Sequence, residues 1–365
     1  MESNEKYIEL YPGSWLYNAS IIGFLFSLKK FEEKNIQDLL DQNGRVLFLK
    51  DDFINLKVEN RYFIKESKIT SIVAKAPLYR NYLQSSEQDD YHKFIYGLKY
   101  IEESNGCSIC TKGYNLPDKK VEELKKDGLK NFLNRILNYN MIFNANLGPS
   151  VNEFPNAFWN MQTSNRICNL CAFLLIHQHI GFTELVDRTK VFINAPSFRL
   201  MYELNTLLEK LVDKENIPYK NLLAMSVIEF SVKTKIMMNS WASMDIEIVA
   251  IKRSGVIEFI SLPYETVCII SNKRIAELLS SIGEFRVLNL VIDNKLNELV
   301  ELGYRILKIA MKTSIGSEDR DFIYKTFYMD ANHDFRNIKQ LANKILKLYA
   351  LIEERTNTKQ NEYIK

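Results

Sequence analysis

Two cysteine pairs carry the chemistry that is legible in this chain. Cys107 and Cys110 stand in Asn105-Gly106-Cys107-Ser108-Ile109-Cys110-Thr111-Lys112-Gly113, and Cys168 and Cys171 in Arg166-Ile167-Cys168-Asn169-Leu170-Cys171. Each pair is a Cys-x-x-Cys. A tetrahedral zinc takes four soft ligands, and two such hooks supply them with the right bite. The first pair reads as a knuckle. Gly106 before it and Lys112-Gly113 after it let the backbone curl and aim amides at the sulfurs. The second pair is expected to open a helix, because Ala172-Phe173-Leu174-Leu175-Ile176 follows at once. A helix N-terminus also favours thiolate.

Other uses of paired cysteines fit less well. A thioredoxin-like redox site needs one Cys-x-x-Cys beside a βαβ unit, and two distant pairs do not match it. Structural disulfides would need an exported chain, and the start Met1-Glu2-Ser3-Asn4-Glu5 lacks the basic opening of a signal peptide. Four thiolates leave no open coordination position, so the expected cofactor is a structural Zn2+ on Cys107, Cys110, Cys168 and Cys171. Residues 111–167 separate the hooks, so the metal would pin two distant segments together. His177 and His179 are two apart and point to different sides of a helix, which suits core or surface residues better than ligands.

The elements that must position these hooks are those of a soluble globular chain. It has 365 residues, 46% of them hydrophobic and 25% charged, with a formal net charge of +3. That length suggests about two domains. The small net charge excludes a polycation, so nucleic-acid binding would have to come from local basic patches. Five cysteines, four of them in the two motifs, suit a reducing cytoplasm, and Cys268 inside an apolar run reads as a buried thiol. The run from Trp15 to Leu28 is interrupted by polar residues and too short to span a bilayer, so no membrane segment is expected.

Read in order, Tyr11-Pro12-Gly13-Ser14 is a turn, with Ser14 placed to cap the helix that follows. Ala19, Ser20 and Gly23 put small residues on one face of that helix, where another element can come close. Asn18 is out of place there unless hydrogen-bonded. Strands are expected over Gly44–Lys50, Lys57–Lys65 and Lys68–Ala74. Tyr79-Arg80-Asn81-Tyr82 reads either as a nucleic-acid clamp or as a half-exposed helix. Tyr91–Glu102 and the charge-rich Lys119–Lys130 are expected helices, as are Pro196–Lys214 and Tyr219–Trp241. Residues Ile246–Leu262 read as a hairpin turning at Arg253-Ser254-Gly255.

From Ser271 onward the pattern is helical. Leu296, Leu299, Val300, Ile306, Leu307 and Ala310 keep the three-four spacing, and so do Phe335, Ile338, Leu341, Ala342, Ile345 and Tyr349. The last helix carries Arg336, Lys339, Lys344 and Lys347 opposite its apolar stripe. That face is either a solvated surface or a phosphate-tracking one. Asp334, in Asn332-His333-Asp334, reads as a cap. The expected fold class is α+β: a mixed N-terminal domain over 1–270 pinned by the four-cysteine site, then a C-terminal helical bundle over 271–365. No phosphate-binding glycine loop, dinucleotide fingerprint or His-Glu-x-x-His occurs. No catalytic residues are assigned, and the chain is not expected to be an enzyme.

Two features together carry a family resemblance. One is Gly13-Ser14-Trp15-Leu16-Tyr17-Asn18-Ala19-Ser20-Ile21-Ile22-Gly23-Phe24-Leu25; the other is the widely separated pair of Cys-x-x-Cys motifs. The chain resembles the CXXC–CXXC family of CRISPR-associated proteins, large subunits of type I-B Cascade complexes. The resemblance implies a non-enzymatic role in antiviral defence. Such a subunit holds the crRNA 5′ end, joins the Cascade backbone and other Cascade subunits, recognises the protospacer-adjacent motif on target double-stranded DNA and recruits a helicase-nuclease. Its C-terminal bundle resembles the small subunits and faces the displaced strand. In some systems an internal start makes that bundle separately, and Met225, Met237, Met238 and Met244 precede it here. Guide pairing carries the sequence information, so the protein reads only a short motif and holds backbones. On the residues themselves, Lys112, Asn144, Asn146 and Arg166 mix amide and basic groups beside the metal-pinned scaffold. They are the expected duplex contacts, with turn formation and solvation as the alternative reading of each. Arg336, Lys339, Lys344 and Lys347 are the expected contacts to the displaced strand. A zinc-stabilised scaffold or nucleic-acid-processing protein outside CRISPR is the alternative.

Overall fold

The computed structural model describes residues 7–53, 56, 87–104, 106–139, 165–211, 217–233, 246–327 and 335–363. Several expectations fall outside them: the strands over 57–65 and 68–74, Tyr79–Tyr82, Asn144 and Asn146, residues 234–241 of the expected helix, Met237, Met238 and Met244, and His333-Asp334. The chain forms two compact units, residues 1–205 with 249–259 and residues 206–248 with 260–365.

The first unit is built on a helix that is apolar on nearly every side. Strand β1 (Tyr7–Leu10) leads through the Pro12-Gly13 turn into α1 (Trp15–Glu32). Ala19, Ile21, Ile22, Phe24, Leu25 and Leu28 are all buried, as expected of a helix surrounded by protein. β1 pairs antiparallel with β2 (Val46–Leu49), Ile8 opposite Phe48. Asn18 is 1% exposed and fully engaged. Its Oδ1 accepts from Gly13 N at 2.8 Å, and its Nδ2 donates to Gly13 O at 2.9 Å and to Asn194 Oδ1 at 2.8 Å. It therefore takes over the tie to the turn that Ser14 was expected to make, since the Ser14 side chain makes no capping bond.

The small face of α1 meets another backbone. Helices α5 (Asn169–Leu175) and α6 (Gln178–Gly181) pack against it. A Cβ added to Gly23 would lie 2.0 Å from His177 O, and one added to Gly181 would lie 2.2 Å from Ala19 O. Around this crossing Phe24, Phe53 and Phe173 pack with centroids 5.3–6.2 Å apart, and His177 stacks edge-on against Phe24 and Phe173.

The elements that present the first cysteine hook follow. Helix α2 (Gln88–Gly97) passes into a 3₁₀ turn at Leu98–Tyr100. Strands β3 (Glu102–Glu103) and β4 (Tyr114–Asn115) then pair around the knuckle. The expected helix over Tyr91–Glu102 thus ends at Gly97. The expected Lys119–Lys130 helix is also broken. α3 (Asp118–Leu124) and α4 (Lys130–Ile136) are joined by a π-helical turn, Lys125–Leu129, in which Gly128 takes φ 96°. Strands β5 (Asn138–Tyr139) and β6 (Asn165–Arg166) pair just before the second hook. A four-stranded sheet closes the unit, in the order β10 (Ile257–Ser261), β9 (Glu247–Ile251), β8 (Lys190–Asn194), β7 (Thr183–Glu184). The β9–β10 turn is the expected one, with Gly255 at φ 84° and its N–H bonded to Lys252 O at 2.9 Å.

Apart from the ends of β9 and β10, the second unit's described elements are helices: the end of α7 (Phe198–Leu211), α8 (Tyr219–Lys233), α9 (Tyr264–Ile270), α10 (Lys273–Ile282), α11 (Phe285–Ile292), α12 (Leu296–Ala310), α13 (Ser317–Phe327) and α14 (Phe335–Tyr363). Asn272 Oδ1 caps α10 by accepting from Arg274 N and Ile275 N, and Gly283 at φ 70° ends it. α12 and α14 pack together, with Gly303 against Leu346 and Ile345, and Leu299, Ile306, Ile338, Ile345 and Ile352 are buried. Leu348 fills the stripe position expected of Tyr349, which is half-buried. Cys268 is buried in α9, and no helix among the described residues is long and apolar enough to cross a membrane.

Gly23→Ala should destabilise the protein by about 1–3 kcal/mol, because the added methyl displaces a backbone carbonyl rather than a flexible side chain. Gly316→Ala, where a Cβ meets nothing within 4 Å, should leave the melting temperature unchanged. Thermal unfolding of the two variants checks this.

Candidate metal centre

The first hook is a tight turn shaped by backbone that side chains seldom allow. Gly106 has φ 98°, Gly113 φ 75°, and Thr111, a β-branched residue, φ 61°. A Cβ on Gly113 would lie 2.5 Å from Ser104 O, the residue whose N–H bonds Gly113 O. In return the turn aims amides inward: Ile109 N points to Cys107 Sγ at 3.5 Å and Gly113 N to Cys110 Sγ at 3.2 Å. The second hook opens α5 as expected. Cys168 is the N-cap, and its sulfur accepts from Cys171 N at 3.4 Å.

Protein bonds tie the two hooks together independently of any ion. Cys168 N donates to Cys107 Sγ at 3.3 Å. Ser108 donates to Arg166 O from both its N–H and its hydroxyl, at 3.2 and 3.1 Å. Two asparagines cross-brace the segments: Leu116 N donates to Asn169 Oδ1, and Asn169 N to Asn115 Oδ1, both at 3.0 Å. β1 is tied in as well, because the Tyr114 hydroxyl donates to Glu9 O at 3.0 Å. Burial pushes that phenol up to about 12, so it remains a donor at physiological pH.

The result is a four-sulfur cluster. The Sγ atoms of Cys107, Cys110, Cys168 and Cys171 all lie within 4.8 Å of one another, three of the residues are buried, and Cys110 is half-buried. Cys110 Sγ and Cys168 Sγ are 3.7 Å apart. A tetrahedral site with 2.3 Å metal–sulfur bonds has sulfur–sulfur edges of about 3.8 Å. The protonation pattern fits the same reading. Without a cation the sulfurs must share protons: hydrogen bonding from Cys110 and its neighbours lowers Cys107. Hydrogen bonding with Cys107 and Cys110 raises Cys168, and burial holds Cys171 well above the usual thiol range. Tyr17, buried against the cluster, is raised by burial and then by the sulfur charges. Four thiolates coexist here only around a cation, and the amides and the α5 N-terminus supply the outer shell. The donor set therefore fits a thiophilic metal ion held in a closed, structural site.

Other expected site residues are placed as follows. His177 is fully buried, with its Nδ1 3.1 Å from Phe173 O, and belongs to the core. Lys112 lies beside the knuckle, but its Nζ sits 3.7 Å from Glu9 and 3.8 Å from Glu103, and 5.3 Å over the Tyr11 ring. Arg166 is exposed next to the second hook. Asn144, Asn146 and the Arg336 side chain lie outside the described residues. On α14, Lys339 and Lys347 are exposed, while Lys344 Nζ donates to Ser281 O in the last turn of α10 at 2.9 Å. Sequence reading missed Asn115 and Asn169. Asn169 lies inside the second motif at the first helical position, where its main chain was bound to need a partner.

Fold and site together define a mixed helix-and-sheet protein in which four cysteines from distant segments form a cluster that can hold a metal ion. Residues 128–183 match the family model described as CRISPR-associated protein (Cas_CXXC_CXXC). The match supports membership of the CXXC–CXXC family of CRISPR-associated proteins. It contains the second hook, α4, α5 and α6, and the first hook precedes it. No curated protein and no solved structure matches the chain.

Elemental analysis should find about one metal ion per chain. Cys168→Ser should lose the metal and aggregate, since metal-binding energy is part of the folding energy. A metal-free chain that melts at the same temperature as the loaded one would disprove this. Asn169→Ala removes an acceptor from the buried Leu116 N–H. It should cost about 1–3 kcal/mol while leaving metal content intact, and denaturant unfolding with metal assay separates the two effects.

Proposed function

We propose that this protein is the large subunit of a type I-B CRISPR RNA-guided surveillance complex, and that it is not itself an enzyme. The observation that carries this reading is the family match over residues 128–183, a segment that contains the second cysteine hook. The metal in the four-sulfur site is zinc, which suits a closed tetrathiolate with no redox or catalytic duty. In this reading the chain acts in the cytoplasm. It joins the Cascade backbone and other Cascade subunits, holds the crRNA 5′ end, reads the protospacer-adjacent motif on duplex DNA and recruits a helicase-nuclease.

Some placements support local contacts with nucleic acid. Arg166 is exposed on a segment that the metal clip and the Ser108 bonds hold rigid, which favours a positioned contact. Lys339 and Lys347 are exposed on one helix and are available to phosphates. Lys112 and Lys344 already have internal partners, so their contribution to binding would be smaller than that of the other cations.

Co-expression with backbone subunits and a guide RNA should yield one complex from which the guide is recovered. That complex should bind motif-bearing duplex more tightly than duplex with the motif scrambled. Neutralising Arg336, Lys339, Lys344 and Lys347 together should flatten the salt dependence of binding to the opened duplex and leave assembly intact. Failure to assemble with guide and backbone would leave the alternative, a metal-pinned scaffold outside CRISPR, as the better reading.

A further inference from the structure

The helical second unit contains a cleft that no expected contact uses. It measures about 310 Å³ and lies between α8, α10 and α11. Met225, Leu279 and Leu288 form apolar walls, yet two carboxylates, Glu229 of α8 and Glu284 ahead of α11, line the same cleft. Phe285, 44% exposed, stands at its lip. Glu284 has an N-cap position but its side chain makes no capping bond, and among the described residues its carboxylate has no hydrogen-bond donor or ion-pair partner. A half-buried carboxylate among apolar side chains loses hydration without compensation. Burial accordingly pushes its carboxyl up from the usual range.

We propose that this cleft receives the side chain of an arginine presented by a partner protein. The apolar walls suit the arginine's aliphatic stem, and a planar guanidinium can bond a carboxylate bidentately while stacking on an aromatic ring such as Phe285. An ammonium is a more strongly hydrated point charge and gains less from an aromatic lip. The exposed ring extends apolar contact beyond the cleft, which gives the residues flanking the arginine a surface to cover. The site lies entirely in the second unit and stands independently of the metal centre and of the CRISPR assignment.

The test follows the Met225 methyl group by NMR of the full chain labelled at its methionine methyls, with Met225→Leu to assign the signal. The probe is the peptide acetyl-Leu-Arg-Leu-amide, compared with its norleucine counterpart and with free argininamide. The arginine peptide should shift the Met225 signal saturably, the norleucine peptide should not, and argininamide should bind more weakly than the peptide. Glu284→Gln should weaken the peptide at least about tenfold, the scale of one lost charge-assisted bond. Because Glu284 is only half-buried and holds no internal partner, this variant should melt like the parent, and Glu229→Gln can then be added to it. No shift at Met225, or an equal shift with norleucine, would overturn the proposal. Argininamide binding as tightly as the peptide would overturn it too, by making the cleft a small-cation site.

Discussion

The mutual repulsion of four thiolates within 4.8 Å of one another is the constraint from which the first unit follows. Four thiolates at this spacing need a cation, and a cation bound there would hold residues 107–110 against residues 168–171. Once those segments are fixed, the asparagine braces, the Ser108 bonds and the Tyr114–Glu9 bond become short local ties rather than long loop closures. A metal in the cluster would take up the entropy cost of the long connection, while the hydrogen bonds set the geometry.

The second support is steric. Helix α1 lies between the turn that Asn18 secures and the backbone of α6, and its glycine leaves no room for a side chain at the crossing. α5 therefore starts at the metal and α6 ends against α1, so the clip and the apolar core are joined through one short stretch of chain. The cysteine hooks and the Gly13–Leu25 motif are parts of one construction, although residues 26–106 separate them in sequence.

Much of this was legible because the causes are local. Paired cysteine spacing announces a soft-metal site, and an apolar run after Cys171 announces a helix whose N-cap is Cys168. A buried asparagine among apolar residues announces hydrogen bonds, and small residues at 19, 20 and 23 announce a close crossing. What escaped depends on space or on a single torsion. Lysines and glutamates before Gly128, with Lys130 after it, look like one continuous exposed helix, and only the glycine's φ of 96° reveals the π-helical turn. Pro263 at the head of α9 was a start signal ahead of Ser271 that hydrophobic spacing alone did not pick out. The Asn115–Asn169 brace joins residues with no sequence relation. The fate of the basic residues was equally hidden, since charge alone does not tell that Lys112 faces two glutamates or that Lys344 caps a carbonyl.

The uneven burial of the four sulfurs has a kinetic consequence. Three of the cysteines are enclosed by the core and the amide shell, and Cys110, on the glycine-flanked knuckle, is the one that solvent reaches. At a metal held there, the knuckle sulfur would be the ligand most open to exchange. The lifetime of the clip is then governed by opening of the Gly106–Gly113 turn, while its affinity is governed by all four ligands. Two such centres with the same dissociation constant would differ in residence time if one lacked this turn.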